Sequence, residues 1–283
     1  MKPIFLITIL VLVLFSCKKS TEPEEQSSFR YPVAIGNEWQ YTRIVSFSNI
    51  QPDTISHESF MPDTSYEETT ITGRELLRDS IQTYSFETLY EDDYHSIIST
   101  HYYAYKNTGL YLIGYKNLSG VSCVPKNSIF KGKRIIFKGR FYRSVHELSQ
   151  SIQSLSPLYK LTSDSVFFED PPLLSLKYPF KIGEAWTYRE NYNPWRIDKK
   201  ILGKELIAIS AGNFSCYKIV WLYDIDHDGS WDEDIMFTDY ISSEGLIRRI
   251  IMYMNIIISD EQGNHLGTFD SQDFYSLTAY TIN

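Results

Sequence analysis

The chain has 283 residues, enough for one large or two small domains, and its 43% apolar share can build a core. A formal charge of −8, with no basic stripe, argues against a nucleic-acid partner. The aromatic share of 15%, with 22 tyrosines, suits pleated, half-buried surfaces and so a β-rich fold.

At the start of the chain, Lys2 precedes an almost unbroken apolar run over residues 4–15, interrupted only by Thr8. Spanning a bilayer takes about 20 apolar residues, so this run is too short for an anchor and suits the core of an export signal. It ends in Leu14-Phe15-Ser16-Cys17. That tetrapeptide resembles the lipobox of bacterial lipoproteins. The resemblance implies export, removal of residues 1–16, and lipidation of Cys17 with palmitate-type acyl chains. Two or three chains anchor firmly, because each buried CH₂ contributes about 0.8 kcal/mol. Residues 17–28 carry the lipidated cysteine and a polar, charged stretch without apolar period, which reads as a disordered tether. Glu22, Glu24 and Glu25 follow close behind. They loosely resemble a surface-export signal of Bacteroidetes, which leans the expected location toward the outer membrane.

Beyond the tether the sequence repeats itself. Tyr31-Pro32-Val33-Ala34-Ile35-Gly36-Asn37-Glu38-Trp39-Gln40-Tyr41 recurs, at an offset of 147, as Tyr178-Pro179-Phe180-Lys181-Ile182-Gly183-Glu184-Ala185-Trp186-Thr187-Tyr188. Ile71-Thr72-Gly73-Arg74-Glu75-Leu76 is matched by Ile201-Leu202-Gly203-Lys204-Glu205-Leu206, and Thr108-Gly109-Leu110 by Glu244-Gly245-Leu246. This order predicts two copies of one β-rich unit, over residues 29–120 and 173–283, joined by an insert over 121–172. In each copy Pro fixes φ, Gly permits a tight turn, and Trp and Tyr two residues apart face one side of the strand that follows. The duplicated tryptophans, Trp39 and Trp186, fit core anchors better than a ligand platform.

Strand-like runs follow at residues 82–89, 96–105 and 110–115, and again at 217–223, 235–241, 246–258 and 274–282. One helix is expected in the insert. Ser144 and Glu147 have capping-box form, and Leu148, Ile152 and Leu155 follow at helical spacing. With Cys17 committed to lipid, Cys123 and Cys216 remain. They fit two buried thiols or, since export permits it, a disulfide. The duplicated YPxxxGxxWxY segment, the later GxEL start and the Gly-Leu strand resemble uncharacterised Bacteroidetes lipoproteins. The resemblance covers nearly the whole mature chain and implies a mainly β fold: a duplicated, curved antiparallel sheet, similar to the half-barrels of lipoprotein carriers, with one short helix between the copies.

The sharpest chemical signal is the loop over residues 224–234, DIDHDGSWDED. Alternate carboxylates followed by Gly open an EF-hand-type loop, in which they converge on one hard cation. Asp224, Asp226, Asp228, Asp232 and Asp234 are the candidate Ca²⁺ ligands. The departure is Ile235 at position twelve, where a bidentate Glu belongs. The competing reading is an ordinary turn, which Asp and Gly favour by themselves. HExxH, GxSxG, Walker and GxGxxG motifs are absent. The histidines are scattered, and His95 and His101 read as solvent-facing on Tyr-rich strands. Asp53-Thr54-Ile55, Asp79-Ser80-Ile81 and Asp164-Ser165-Val166 weakly resemble Bacteroidetes O-glycosylation acceptors. The functional expectation is a non-catalytic envelope module, bound to the membrane through its lipid. It would hold an apolar small molecule in a pocket of Tyr, Phe and Ile on a concave sheet. The alternatives are a structural lipoprotein with a filled core that binds an envelope protein and, more distantly, a hydrolase of envelope polymers.

Overall fold

Two glycine turns launch the two halves of the chain in the same way. Gly36 and Gly183 both stand in the left-handed region, at φ +87° and +85°, where a residue without Cβ is unstrained. The Gly36 N–H donates to the Ile71 carbonyl (2.8 Å) and the Ile71 N–H to the Asn37 carbonyl (2.9 Å). In the second half the Gly183 N–H donates to the Ile201 carbonyl (2.8 Å) and the Ile201 N–H to the Glu184 carbonyl (3.0 Å). Both isoleucines are fully buried, and a register shift follows each, before Gly73 and before Gly203.

The computed structural model describes residues 28–52, 60, 62–91, 96–116, 133–153, 165–190 and 195–283. The first half contains β1 (Glu38–Gln51), β2 (Asp63–Leu77), β3 (Ile81–Glu91), β4 (Ser96–Lys106) and β5 (Gly109–Lys116). A short hairpin, β6 (Lys133–Phe137) and β7 (Arg140–Tyr142), then leads into α1 (Val145–Gln153) and β8 (Phe167–Lys177). The second half contains β9 (Ala185–Arg189), β10 (Arg196–Ile209), β11 (Gly212–Asp224), β12 (Ile235–Ser242), β13 (Gly245–Asp260) and β14 (His265–Thr281). The paired strands are antiparallel, and the hydrogen-bonded path runs β8-β5-β4-β3-β2-β1-β14-β13-β12-β11-β10-β9. The fold is mainly β, its sheet curved and nearly closed, as the half-barrel resemblance implied, and among the described residues it has one short helix, in the connecting segment. β8 begins inside residues 121–172 and pairs with β5, so it completes the first half. The β6–β7 hairpin, which the sequence did not announce, pairs with β13.

Alternation decides what fills the interior. Trp39, Tyr41, Arg43 and Val45 are buried at every second position of β1. The buried indoles are satisfied by carbonyls: Trp39 Nε1 donates to Glu244 O, and Trp186 Nε1 to Leu174 O (2.9 Å). Gly245 lies so close to the Trp39 indole that a Cβ there would strike it. Helix α1 is capped as expected. The Glu147 N–H donates to Ser144 Oγ (3.1 Å), and the Glu147 carboxylate accepts from the Arg143 N–H (2.6 Å), one residue outside the usual box. Its apolar face places Val145, Leu148 and Ile152 in one core with Ile135, Phe137, Tyr253 and Phe269. Leu155 lies outside the described residues, as do Cys17, Cys123, His57 and His95. Cys216 is fully buried, and burial pushes its thiol up to about 12.

Because Ile71 and Ile201 occupy equivalent buried positions, truncating either to Ala should cost about 2–5 kcal/mol. Leu206→Ala, at a side chain 75% exposed, should cost under about 0.5 kcal/mol. Urea unfolding of the three variants compares them directly.

Candidate functional site

Two seams join the halves of the chain, one inside the sheet and one between its end strands, β8 and β9. β1 and β14 pair over their whole length, from Glu38↔Thr281 to Gln51↔Thr268. β8 and β9 lie against each other, but no ladder joins them among the described residues. Side chains bridge this second seam instead. Trp186 of β9 reaches the Leu174 carbonyl, Arg189 of β9 pairs with Glu169 of β8 (2.9 Å), and Lys177 pairs with Glu184 (2.7 Å). Lys199 of β10 donates from Nζ to the Ser175 carbonyl (3.0 Å).

Beside this seam the interior opens into a cavity of about 280 Å³. Aromatic rings supply much of its wall: Tyr31, Tyr41, Phe86, Tyr103, Tyr188, Trp221, Tyr223, Phe237 and Tyr275. Leu110, Leu176, Ile197, Ile241 and Leu246 add aliphatic surface, and Ile152 and Gln153 of α1 reach in. The pocket of Tyr, Phe and Ile expected from sequence is therefore present, but charged groups share it. Glu67, His101, Arg189, Lys199, Asp239 and Arg249 line the same space.

These polar groups are arranged in a definite way. Arg249 grips Asp239 with two hydrogen bonds, Nε to Oδ1 (2.6 Å) and Nη2 to Oδ2 (3.0 Å). Trp221 Nε1 donates to the same carboxylate (2.9 Å), and the Arg249 guanidinium lies 5.0 Å from the Phe237 ring centroid. That bidentate pair satisfies both charges without a ligand. Lys199 is different. It is 3% exposed, and its ammonium sits 3.6 Å from the Trp221 ring centroid and 4.2 Å from that of Tyr188, with one carbonyl as hydrogen-bond acceptor. An ammonium has three donors, so the ring faces and a single carbonyl leave it capacity for another acceptor. Burial pulls its pKa down to about 7, against the opposing pull of Asp239. Burial likewise raises the Glu67 carboxyl, opposed by Arg43 and Arg249, lowers His101 to about 4, and raises Tyr103 to about 12. Near neutral pH, His101 and Tyr103 are therefore uncharged. His101 faces the cavity, which corrects the expectation of a solvent-facing side chain: β4 turns it inward between Tyr103 and Tyr115.

The acidic loop joins β11 to β12, and none of its residues lines this cavity. Asp224, Asp226 and Asp228 come together, each offering a carboxylate oxygen within 4.8 Å of the others. Asp232 and Asp234 turn elsewhere. Asp232 accepts from the Ile225 N–H (2.8 Å), and both pair with Lys138 Nζ, at 2.7 and 2.9 Å.

The cavity's charged residues carried no sequence motif. Lys199 lies in the run Asp198-Lys199-Lys200, which reads as solvated surface, and the inward phase of β10 sets it apart. The alternating burial Ile197, Lys199, Ile201 was the available signal.

No protein-family model matches the sequence, and no curated protein matches it. Among solved structures it is similar to a candidate lipoprotein from Parabacteroides distasonis. The two share 15% identity with a TM-score of 0.36, over 90% of this chain and 99% of the other. It is also similar to a candidate exported protein with a YmcC-like fold from Bacteroides fragilis. There the identity is 11% and the TM-score 0.37, over 89% of this chain and 99% of the other. At such values neither likeness assigns a function.

Lys199 also makes a prediction about stability. The unfolded lysine keeps its proton to about 10.5 while the folded one releases it near 7, so between these values the unfolded chain binds the extra proton. Stability should therefore rise with pH, by roughly 2 kcal/mol from pH 7 to about 9, below the range where unfolded tyrosines ionise. Lys199→Met should flatten this rise and raise stability at neutral pH. Chemical unfolding at a series of pH values measures both.

Proposed function

We propose that this chain is a lipid-anchored protein of the bacterial envelope whose sheet interior holds a small amphipathic molecule. The address rests on Lys2, the apolar run over residues 4–15 and the Leu14-Phe15-Ser16-Cys17 tetrapeptide. On this reading Cys17 carries the acyl chains, and the outer membrane is the destination. Metabolic labelling with palmitate checks the anchor: the wild type should take up label, and Cys17→Ala should take up none and leave the membrane fraction.

The observation that carries the binding reading is Lys199. A buried ammonium held between two rings, with one carbonyl for company, favours an occupant that brings an acceptor. The aromatic and aliphatic walls favour an apolar body for the same occupant. A small aromatic or aliphatic acid combines both features. The purely apolar ligand expected from sequence would leave Lys199, Glu67 and His101 facing it without recompense. Binding needs no chemistry, and the reading is non-catalytic. Among the described residues, Glu67 and Asp239 are the carboxylates that line the cavity, and the pairing of Asp239 with Arg249 favours binding over hydrolysis.

Native mass spectrometry of the protein, extracted from its own envelope in mild detergent, tests the reading. An added mass that disappears on denaturation is expected in the wild type and should be lost in Lys199→Met at unchanged circular dichroism. A bare mass in the wild type, or an adduct indifferent to Lys199→Met, would favour the filled-core, partner-binding alternative.

A further inference from the structure

The end of β11 places a carboxylate where the fold itself does not satisfy it. Asp224, the last residue of that strand, is 2% exposed, and its Oδ1 is buried without a hydrogen-bond partner. The cation opposite it in register, Arg196, is engaged elsewhere: its guanidinium bonds Asp198 (3.1 Å) and covers the Trp231 ring at 4.7 Å. A buried, unsatisfied carboxylate oxygen is destabilising unless something positive completes it.

What stands next to Asp224 is more negative charge. The exposed Asp226 and Asp228 bring carboxylate oxygens within 4.8 Å of the Asp224 carboxylate. Backbone geometry holds them there. His227 and Gly229 take left-handed φ values of +61° and +88°, and the Asp228 carboxylate accepts from the Ser230 N–H (2.7 Å) and the Ser230 hydroxyl. The other two aspartates of the loop already have their cation, because Lys138 from the β6–β7 turn pairs with Asp232 and Asp234. The fold thus neutralises one part of the acidic loop with its own lysine and leaves the other part as three converging carboxylates.

We propose that Asp224, Asp226 and Asp228 bind one Ca²⁺ ion. Three carboxylates exceed the one or two through which Mg²⁺ is usually held, whereas Ca²⁺ accepts six to eight oxygens in irregular geometry. Ser230 occupies the seventh loop position, which in such loops supplies a backbone carbonyl, and water completes the shell. Ile235 at position twelve is buried and offers no carboxylate. With Asp232 and Asp234 committed to Lys138, the affinity belongs to the weak extracellular range, with Kd of about 10⁻⁴–10⁻³ M. The ion would fix the β11–β12 connection and compensate the buried Asp224. This site is separate from the cavity, and neither proposal depends on the other.

The test is a titration of the full-length protein, in detergent, with Tb³⁺ followed by sensitised emission, and with Ca²⁺ as competitor. One saturable site displaced by millimolar Ca²⁺ is expected. Asp226→Asn and Asp228→Asn, both at exposed positions that leave the fold intact, should each weaken binding by about tenfold or more. Asp260→Asn, at the end of β13 and outside the acidic loop, should bind as the wild type does. Absence of saturable binding up to about 10 mM Ca²⁺, well above the weak range, would overturn the proposal. So would equal binding in Asp226→Asn, or equal loss in Asp260→Asn.

Discussion

The ladder between β1 and β14 joins the first strand of the described structure to the last, and the remaining strands depend on it. A curved antiparallel sheet exposes unpaired backbone at both ends unless those ends meet. The edges here are β8 and β9, and the β1–β14 ladder lies inside the sheet, joining its two halves through a long register that carries Arg43 and Asp273 into the interior, where the guanidinium and the carboxylate bond at 2.8 and 2.6 Å. Both residues are almost wholly buried, and the Arg43 guanidinium also lies 5.0 Å from the Tyr275 ring centroid. A slip of one residue would turn Arg43 outward and leave Asp273 buried without its cation. The pair therefore acts on register more than on net stability.

The opposite seam is built differently. Between β8 and β9 the backbone ladder is replaced by side-chain bridges, and one bridging group, Lys199, also lines the cavity. Its ammonium is held by rings and a carbonyl, whereas Arg249 beside it is bound by Asp239. The cavity thus contains a self-satisfied ion pair and a cation with room for another acceptor. That asymmetry is what the proposed binding role rests on.

Local order was readable from the chain. The two YPxxxGxxWxY segments were visible as matching words, and they adopt the same turn with the same hydrogen-bond scheme. Strand periodicity marked most of β3 to β5 and β11 to β14, and Ser144 with Glu147 marked α1. In each case the determining contacts lie within one turn, one strand or one hairpin. The cavity was less legible because its charges meet across long separations. Glu67 comes from β2, His101 from β4 and Lys199 from β10, and Lys199 finds its carbonyl at Ser175 on the strand across the unladdered seam. A lysine among charged neighbours reads as surface until the strand's phase is known. His101 misled for the same reason, since β4 alternates tyrosines on both faces and does not disclose which face is inward. The acidic loop was legible as a cation motif. That Lys138 would claim two of its aspartates depended on a hairpin the sequence did not announce.

On the proposed reading, the interior beside the unladdered seam holds a molecule that brings an acceptor to Lys199. A crystal structure of the protein, purified from its own envelope without denaturation, tests this most directly. Continuous density for a non-protein molecule is expected between the Tyr103, Trp221 and Tyr188 rings, with an oxygen within about 3 Å of Lys199 Nζ. A cavity containing only water, or closed by rearranged side chains, would contradict it.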